Sequence, residues 1–339
     1  MRDEARRWKS DLQKLIELRG AALQVAQYIA VISGLKRSLD DWIPVGQFER
    51  FRSLVEALGL AMEIDCVFRR LSDAQSVFGL RYAPTTHAMG FHARDADGVV
   101  RAAEHFAAED EVHLMLARRP EHAAETLAAA WYPLVINNRV THRPHVDSYR
   151  LGSALGYPDC CVKFFMEHND WPRQNQIAET AKASRSISWK ANCLAKNTPH
   201  MLIFHMPCSF DCVATLQYST NLIHEVRQFD RDKAEQIESY LKQTILVSSE
   251  RLAFRLIDAA PSEGDRVSYG SARSLQEFIR LRDPQHDEYL AALKSGSELS
   301  ISEGTVFVWN KGQLANIIET RCDEWIAEVP QLLRFEDSQ

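Results

Sequence analysis

Five of the seven cysteines of this chain lie between Leu155 and Cys212, and four of them form two groups. The first group is the doublet Cys160-Cys161, and the second is Cys208 with the cysteine four residues later. A proline stands shortly before each group, and proline favours the first position of a helix because its missing N–H would be unpaired there anyway. We therefore expect both groups in the first turn of a helix. There the helix dipole and the unpaired backbone N–H groups favour the thiolate form.

Four thiolates at two helix starts predict one inorganic centre assembled from two parts of the chain. Cys208 and Cys212 would share a helix face, whereas the adjacent cysteines would point about 100° apart on a helix of 3.6 residues per turn. Adjacent ligands also depart from the C-x-x-C spacing of zinc ribbons. Soft thiolates bind iron–sulfur clusters, zinc or copper(I). We predict an iron–sulfur cluster of the [4Fe-4S] type, with the ligands Cys160, Cys161, Cys208 and Cys212.

Three alternatives stay open for these cysteines. One is a zinc ion that stabilises a scaffold for a partner protein. Another is a metal-free enzyme that uses Cys160 or Cys208 as its nucleophilic thiol. The last is simple burial, since cysteine outside disulfides is among the most buried residue types. We expect this last role for the isolated Cys66 and Cys322.

Polar and aromatic residues near the cysteines are candidates for supporting the centre. His205 precedes Cys208 by three residues, where it could hydrogen-bond a ligand sulfur or a bound substrate. His205 and Cys193 are also close enough in sequence to replace or supplement a ligand. Aromatic residues that would keep the site partly dry, and so tune a redox potential, are Phe164, Phe165 and Phe204. The predicted catalytic or substrate-facing residues are Tyr157, Asn192 and His205.

Outside this stretch the sequence offers little chemistry. His142, His145 and Asp147 form a polar run that we expect to be a solvated loop, with a metal or acid–base patch as the alternative. No dinucleotide-binding, P-loop, nucleophile-elbow or zinc-protease motif is present. Nucleotide-dependent and hydrolytic functions therefore have no support in the sequence.

The composition indicates an ordinary globular protein, with 45% hydrophobic and 25% charged residues. A formal net charge of −6 gives no reason to expect nucleic acid or an anionic membrane as a partner. No apolar run reaches the roughly 18 residues of a membrane span, and the charged start lacks a signal-peptide core. An odd number of mostly clustered cysteines without an export signal favours reduced thiols. We therefore expect a cytoplasmic protein.

Apolar periodicity predicts an α+β fold that is mainly helical. Helical spacing covers Arg2 to about Ile32, then Gln47 to Leu58, and one long helix from Cys212 to about Thr244. The run from Met201 to His205 has the composition and length of a strand.

After residue 245 the pattern changes to short strands and predicts a small β-rich region. Ser302-Glu303-Gly304 is typical of a hairpin turn. A helix from Leu314 to Ile326 is expected to close the region. We therefore place one boundary, between a mainly helical region 1–245 with the cysteine site at 155–212 and a β-rich region 246–339.

The cysteine motif resembles that of an uncharacterised family of prokaryotic proteins. The shared pattern is Leu-Gly-Tyr-Pro-x-Cys-Cys-x-x-x-Phe, an asparagine, and His-x-Pro-Cys-Ser-x-x-Cys. Here these residues are Leu155 to Cys161 with Phe165, then Asn192, then His205 to Cys212. The resemblance covers about residues 150–225, and it implies no established reaction.

These observations predict an iron–sulfur enzyme that performs redox or sulfur-handling chemistry on a small molecule. A redox role would add an electron-transfer partner. The cluster would lie between two helix N-termini, whose dipoles offset its negative charge.

Overall fold

The computed structural model describes residues 2–70, 82–84, 107–129, 134–136, 139–142, 147–168, 176–195, 198–249, 252–275, 285–319 and 330–337. These residues form an α+β protein, as predicted. They group into two compact units, Met1–Val162 and Lys163–Gln339. The predicted boundary near residue 245 falls inside the second unit and stays a prediction.

The first unit contains an antiparallel sheet with the strand order β1-β4-β2-β3. The strands are β1 (Ser38–Pro44), β2 (Ala61–Arg70), β3 (Tyr82–Pro84) and β4 (Glu111–Ala117). Strand β4 lies between two neighbours and is buried almost throughout. The described helices of this unit are α1 (Arg2–Arg19), α2 (Val25–Ile32), α3 (Phe48–Ala57), α4 (Pro120–Ala129) and α5 (Ser148–Ala154). A short antiparallel pair, β5 (Leu134–Ile136) and β6 (Arg139–His142), follows α4.

The helices predicted near the N-terminus are confirmed as α1, α2 and α3. Gly59 ends the third of them with φ +71°, a conformation that glycine adopts without steric cost. The region predicted to be mainly helical also holds the four-stranded sheet. Strand β1 is hard to recognise from sequence because it carries the acidic pair Asp40-Asp41 at half-buried positions.

Helix α6 (Asp159–Glu167) begins in the first unit and ends in the second. The other described helices of the second unit are α7 (Gln176–Ala183), α8 (Val213–Phe229), α9 (Arg231–Leu241) and α10 (His286–Lys294). Its first antiparallel sheet has the order β11-β8-β7-β15, with β7 (Thr244–Ser249), β8 (Leu252–Ile257), β11 (Ser271–Ser274) and β15 (Gln331–Leu333). Its second has the order β14-β13-β12-β10-β9, with β9 (Ala260–Pro261), β10 (Val267–Ser268), β12 (Glu298–Ser302), β13 (Thr305–Asn310) and β14 (Gln313–Glu319).

One apolar core joins the elements after residue 244. It includes Leu246 and Phe254 of the first sheet, Leu299 and Val308 of the second, and Tyr289 of α10. The rings of Phe254 and Tyr289 stack with centroids 5.8 Å apart. Strands of both sheets therefore pack against helix α10 in this core.

The prediction of one continuous helix from Cys212 to about Thr244 is wrong, because two helices cover this segment. Asp230 has an extended backbone, with φ −151° and ψ 110°, and separates α8 from α9. Its carboxylate accepts a hydrogen bond from the backbone N–H of Lys233, so Asp230 is the N-cap of α9. Aspartate is a strong N-cap residue, and this local bond competes with continued helix.

The predicted strand from Met201 to His205 is also wrong. These residues have no regular secondary structure, although Met201, Leu202 and Ile203 are completely buried. An apolar run of this length reports burial and does not by itself distinguish a strand from other buried backbone.

The predicted closing helix from Leu314 to Ile326 is wrong over its described part. Residues 313–319 are β14, which pairs with β13 through a turn at Lys311 and Gly312, both with positive φ. The predicted hairpin at Glu303 and Gly304 is confirmed with φ 49° and 80°. Leu314 and Ile317 are both 47% exposed on this strand. Residues 320–326 lie outside the described residues.

Candidate metal centre

The four cysteines predicted to be ligands lie together. Their sulfur atoms are all within 4.8 Å of one another, and the sulfurs of Cys160 and Cys161 are 3.9 Å apart. None of the five cysteines whose side chains are described forms a disulfide. The group can therefore hold a metal ion.

The Gly156-Tyr157-Pro158 turn positions the first cysteine pair. Gly156 ends α5 with φ +76°, and the N–H groups of Gly156 and Tyr157 donate to the carbonyls of Ser153 (3.0 Å) and Gly152 (2.9 Å). This pair of hydrogen bonds is the Schellman motif of a helix C-terminus, which requires the left-handed conformation that glycine favours. Pro158 then leads into α6.

Helix α6 begins as predicted, with Cys160 and Cys161 in its first turn. The carbonyl of Pro158 accepts hydrogen bonds from the N–H groups of Cys161 (2.9 Å) and Val162 (3.0 Å). Val162 packs so closely on α5 that a Cβ at Gly152 would lie 2.7 Å from its side chain. The doublet is thus held by a helix start whose position two glycines and a proline determine.

The second pair differs from the prediction. Cys208 lies in a turn, and α8 begins only after Cys212, which is its N-cap. The N–H of Cys212 donates to the carbonyl of Ser209 (3.1 Å), which closes the turn. The two sulfurs meet because the turn folds back, and not because they share a helix face. Cys212 still lies at the positive end of a helix dipole.

Side chains of the segment around α7 hold this turn in place. The hydroxyl of Thr180 donates to the carbonyl of Pro207 (2.9 Å), and the hydroxyl of Ser184 accepts from the N–H of Phe210 (2.7 Å). The ring of Phe210 is completely buried and meets Phe335 edge-on, with centroids 5.4 Å apart. Neither anchor was recognised from sequence, because no spacing rule links residues 180–184 to residues 207–210.

The turn also carries a stabilised carboxylate. Burial raises the pKa of Asp211, but hydrogen bonds from Ser209 and from the backbone N–H of Arg185 outweigh it and bring the pKa below its ordinary value. The guanidinium of Arg185 lies 3.7 Å from the same carboxylate. Asp211 is therefore explained by its role in the turn.

The four cysteine residues differ in their exposure to solvent. Cys161 and Cys212 are buried, Cys208 is half-buried and Cys160 is exposed. Cys160 is thus the most exposed residue of the four.

The predicted supplementary ligands do not belong to the group of four sulfurs. The thiol of Cys193 contacts the sulfur of Met206 at 3.6 Å, and Cys193 is buried. The Nε2 atom of His205 lies 2.9 Å from the hydroxyl of Thr215 in α8. Among the described residues, the metal-ligating set is limited to the four cysteines.

Of the predicted catalytic residues, Asn192 has a structural explanation. Its side-chain amide donates to the carbonyl of Leu241 (2.9 Å) at the end of α9, and its side-chain oxygen accepts from the N–H of Leu194 (3.1 Å). His205 is 7% exposed and packs edge-on against Tyr218. Catalytic roles for Tyr157, Asn192 and His205 stay predictions.

Tyr157 contacts a buried lysine that the sequence did not indicate. The Lys36 ammonium lies 5.5 Å from the centre of the Tyr157 ring and donates to the side-chain oxygen of Gln27 (2.9 Å). Burial lowers the pKa of Lys36 to about 8, although the negative charge of Asp40 acts in the opposite direction. A Cβ at Gly156 would lie 3.3 Å from the backbone nitrogen of Arg37, so the turn approaches this lysine closely.

The free energy of unfolding of the wild type should rise as the pH increases above neutral. We expect the Lys36→Met variant to lack this increase. The pKa of Lys36 is about 8 in the folded protein against 10.5 ordinarily. The unfolded state therefore binds more protons between these values, and stability rises with pH across the window. Between neutral and about pH 10, the free energy of unfolding of the wild type should gain about 2–3 kcal/mol relative to the variant.

Urea unfolding at a series of pH values measures this difference. Lys14→Met is the control, because the Lys14 side chain is 55% exposed. Parallel pH profiles for the wild type and Lys36→Met would contradict the assignment.

The remaining predicted residues are placed as follows. Asp147 is the N-cap of α5 and accepts a hydrogen bond from the N–H of Arg150 (2.9 Å), which gives it a structural role. His142 belongs to β6, and His145 and Cys322 lie outside the described residues. Cys66 belongs to β2. The three aromatic residues predicted to shield the site, all half-buried, are Phe164, Phe165 and Phe204.

Among the described residues, no helix combines the length and the apolar character that crossing a membrane requires. Comparison with curated proteins and with solved structures gives no match. The predicted resemblance to an uncharacterised family is consistent with the comparison against family models. A domain described as a protein of unknown function (DUF483) covers residues 118–242 of the chain, including all four clustered cysteines.

Proposed function

We propose that the chain is a zinc protein in which Cys160, Cys161, Cys208 and Cys212 bind a single ion. The sulfur spacing carries this proposal. Zinc binds thiolate sulfur at about 2.3 Å in a tetrahedron, which places the four sulfurs about 3.8 Å apart. The observed pair distance of 3.9 Å and the upper limit of 4.8 Å fit one tetrahedral ion.

Four thiolates occupy every position of a tetrahedral ion, so the centre would keep no metal-bound water. Its function would be to stabilise the fold locally and to hold reactive thiolates. The ion would connect the first turn of α6 with the turn that precedes α8. Four thiolates and one Zn²⁺ carry a net charge of about −2, which the N-termini of α6 and α8 partly offset.

The second candidate is the iron–sulfur enzyme predicted from the sequence. The adjacent cysteines favour it, because they depart from the usual zinc spacing. In a [4Fe-4S] cluster each thiolate binds a different iron atom, so the cysteine sulfurs lie about 6 Å apart. The four sulfurs would have to move outwards from their observed separation to accept it. Redox or sulfur-handling chemistry on a small molecule would follow from this second candidate alone.

Metal and sulfide analysis of protein purified without oxygen distinguishes the candidates. We expect a colourless protein with about one zinc per chain and no acid-labile sulfide. Cobalt exchanged into the site should give the visible bands of a tetrahedral thiolate complex. A brown protein with iron and sulfide would instead support the cluster, and a metal-free protein with a rapidly alkylated thiol would support the metal-free enzyme.

A further inference from the structure

A short segment at the start of β1 lies directly against the turn that leads into the cysteine doublet. The hydroxyl of Ser38 donates to the backbone carbonyl of Ala154 in the last turn of α5 (2.9 Å), and both residues are buried. A Cβ at Gly156 would lie 3.3 Å from the backbone nitrogen of Arg37 and 3.7 Å from the Cγ atom of Lys36. Three successive residues of this segment therefore lie against the end of α5 and the turn after it.

Lys36 is held in place through both its backbone and its side chain. Its backbone N–H donates to the carbonyl of Ala30 in α2 (2.9 Å), and its ammonium donates to the side-chain oxygen of Gln27 (2.9 Å). The ammonium also lies 5.5 Å from the centre of the Tyr157 ring, which is within the range of a cation–π interaction. Lys36 is 5% exposed, and a buried ammonium is unfavourable unless neighbouring groups stabilise it. Movement of the Tyr157 ring away from Lys36 would therefore raise the free energy of this buried charge.

The backbone between Tyr157 and the cysteine doublet has little freedom. The N–H of Tyr157 donates to the carbonyl of Gly152 (2.9 Å), and Pro158 restricts the next φ angle to about −65°. The carbonyl of Pro158 then accepts from the N–H of Cys161 (2.9 Å) in the first turn of α6. A displacement of Tyr157 would therefore change the position of Cys160 and Cys161.

Resting on the proposed zinc centre, we propose that Lys36 is a positioning residue, which holds the cysteine doublet through the Tyr157 ring and thereby raises the zinc affinity of the centre. Tetrahedral coordination requires four sulfurs at defined separations, so a doublet that is held in position binds the ion more tightly than one that moves. Residues that orient metal ligands from outside commonly change metal affinity 10- to 100-fold. Loss of the contact between Lys36 and Tyr157 should therefore weaken zinc binding by about tenfold.

A double-mutant cycle on the full-length protein tests this role. Zinc affinity is measured by competition with a chromophoric chelator for the wild type, Lys36→Met, Tyr157→Leu and the double variant. We expect each single variant to bind zinc about tenfold more weakly. The double variant should also bind about tenfold more weakly, and not about a hundredfold, because both changes remove the same contact. Tyr157→Phe keeps the ring and should bind zinc as tightly as the wild type.

Hydrogen exchange in chelator-treated protein measures the positioning itself without zinc. In Lys36→Met the amides of Tyr157 and Cys161 should exchange about tenfold faster than in the wild type, whereas amides of the buried strand β4, in the same unit, should keep their rates.

Three results would overturn the proposal: unchanged zinc affinity in Lys36→Met, affinity losses that multiply in the double variant, or unchanged exchange at both turn amides. Zinc binding by Tyr157→Phe as weak as that of Tyr157→Leu would also overturn it, because the ring would then not be the group that acts. Wild-type protein that binds no zinc would instead overturn the proposed function, and the exchange rates would then decide whether Lys36 positions the doublet.

Discussion

Replacing Cys208 with alanine should abolish binding of the proposed zinc ion. The variant loses one of four sulfurs that lie within 4.8 Å of one another. Loss of a direct ligand should lower zinc affinity by more than about 100-fold, since even the outer partners of ligands contribute 10- to 100-fold. Metal content per chain after gel filtration measures the effect.

Cys193→Ala is the matched control for this variant. Cys193 is also buried, but its thiol contacts Met206 and lies outside the group of four. The control removes one small buried side chain, which should cost about 1 kcal/mol of stability. It should keep about one zinc per chain. Equal metal content in Cys208→Ala and Cys193→Ala would remove the site assignment.

Removing the proposed zinc ion from the wild type should lower its thermal stability substantially. An ion that binds only the folded state, at a free concentration of about a thousand times Kd, stabilises by about 4 kcal/mol. For a chain of this size such a loss corresponds to a fall in Tm of about 6 °C. Differential scanning calorimetry with and without a strong chelator measures it.

Removing the proposed ion should destabilise the two turns around it before the whole protein unfolds. The amides of Cys161 and Cys212 donate within the two turns that the ion would join, so their hydrogen exchange should accelerate first. Amides of the β7–β8 pair provide the internal reference. The chelator should not lower the Tm of Cys208→Ala any further. A chelator effect of equal size in that variant would show that the stabilising ion binds elsewhere.

Rules that act within a few residues of sequence were sufficient to predict the group of four cysteines and several boundaries of helices and turns. The doublet's helix start was predictable because Gly156 and Pro158 restrict the backbone within a few residues of themselves. The hairpin at Glu303 and Gly304 was predictable for the same reason. The break at Asp230 was missed, although aspartate is a strong N-cap residue, because the apolar periodicity continues across it.

The sequence by itself therefore predicted which cysteines lie together, since thiolate chemistry and spacing are properties of the chain. Only the tertiary structure decided how close the sulfurs lie, which of the four residues is exposed, and where the helix after Cys212 begins. Thr180 and Ser184 hold the turn that carries Cys208, and Lys36 lies against the ring of Tyr157 before the cysteine doublet. Such contacts join residues 26 to 121 positions apart, and spacing rules that act within one or two helical turns cannot reach them.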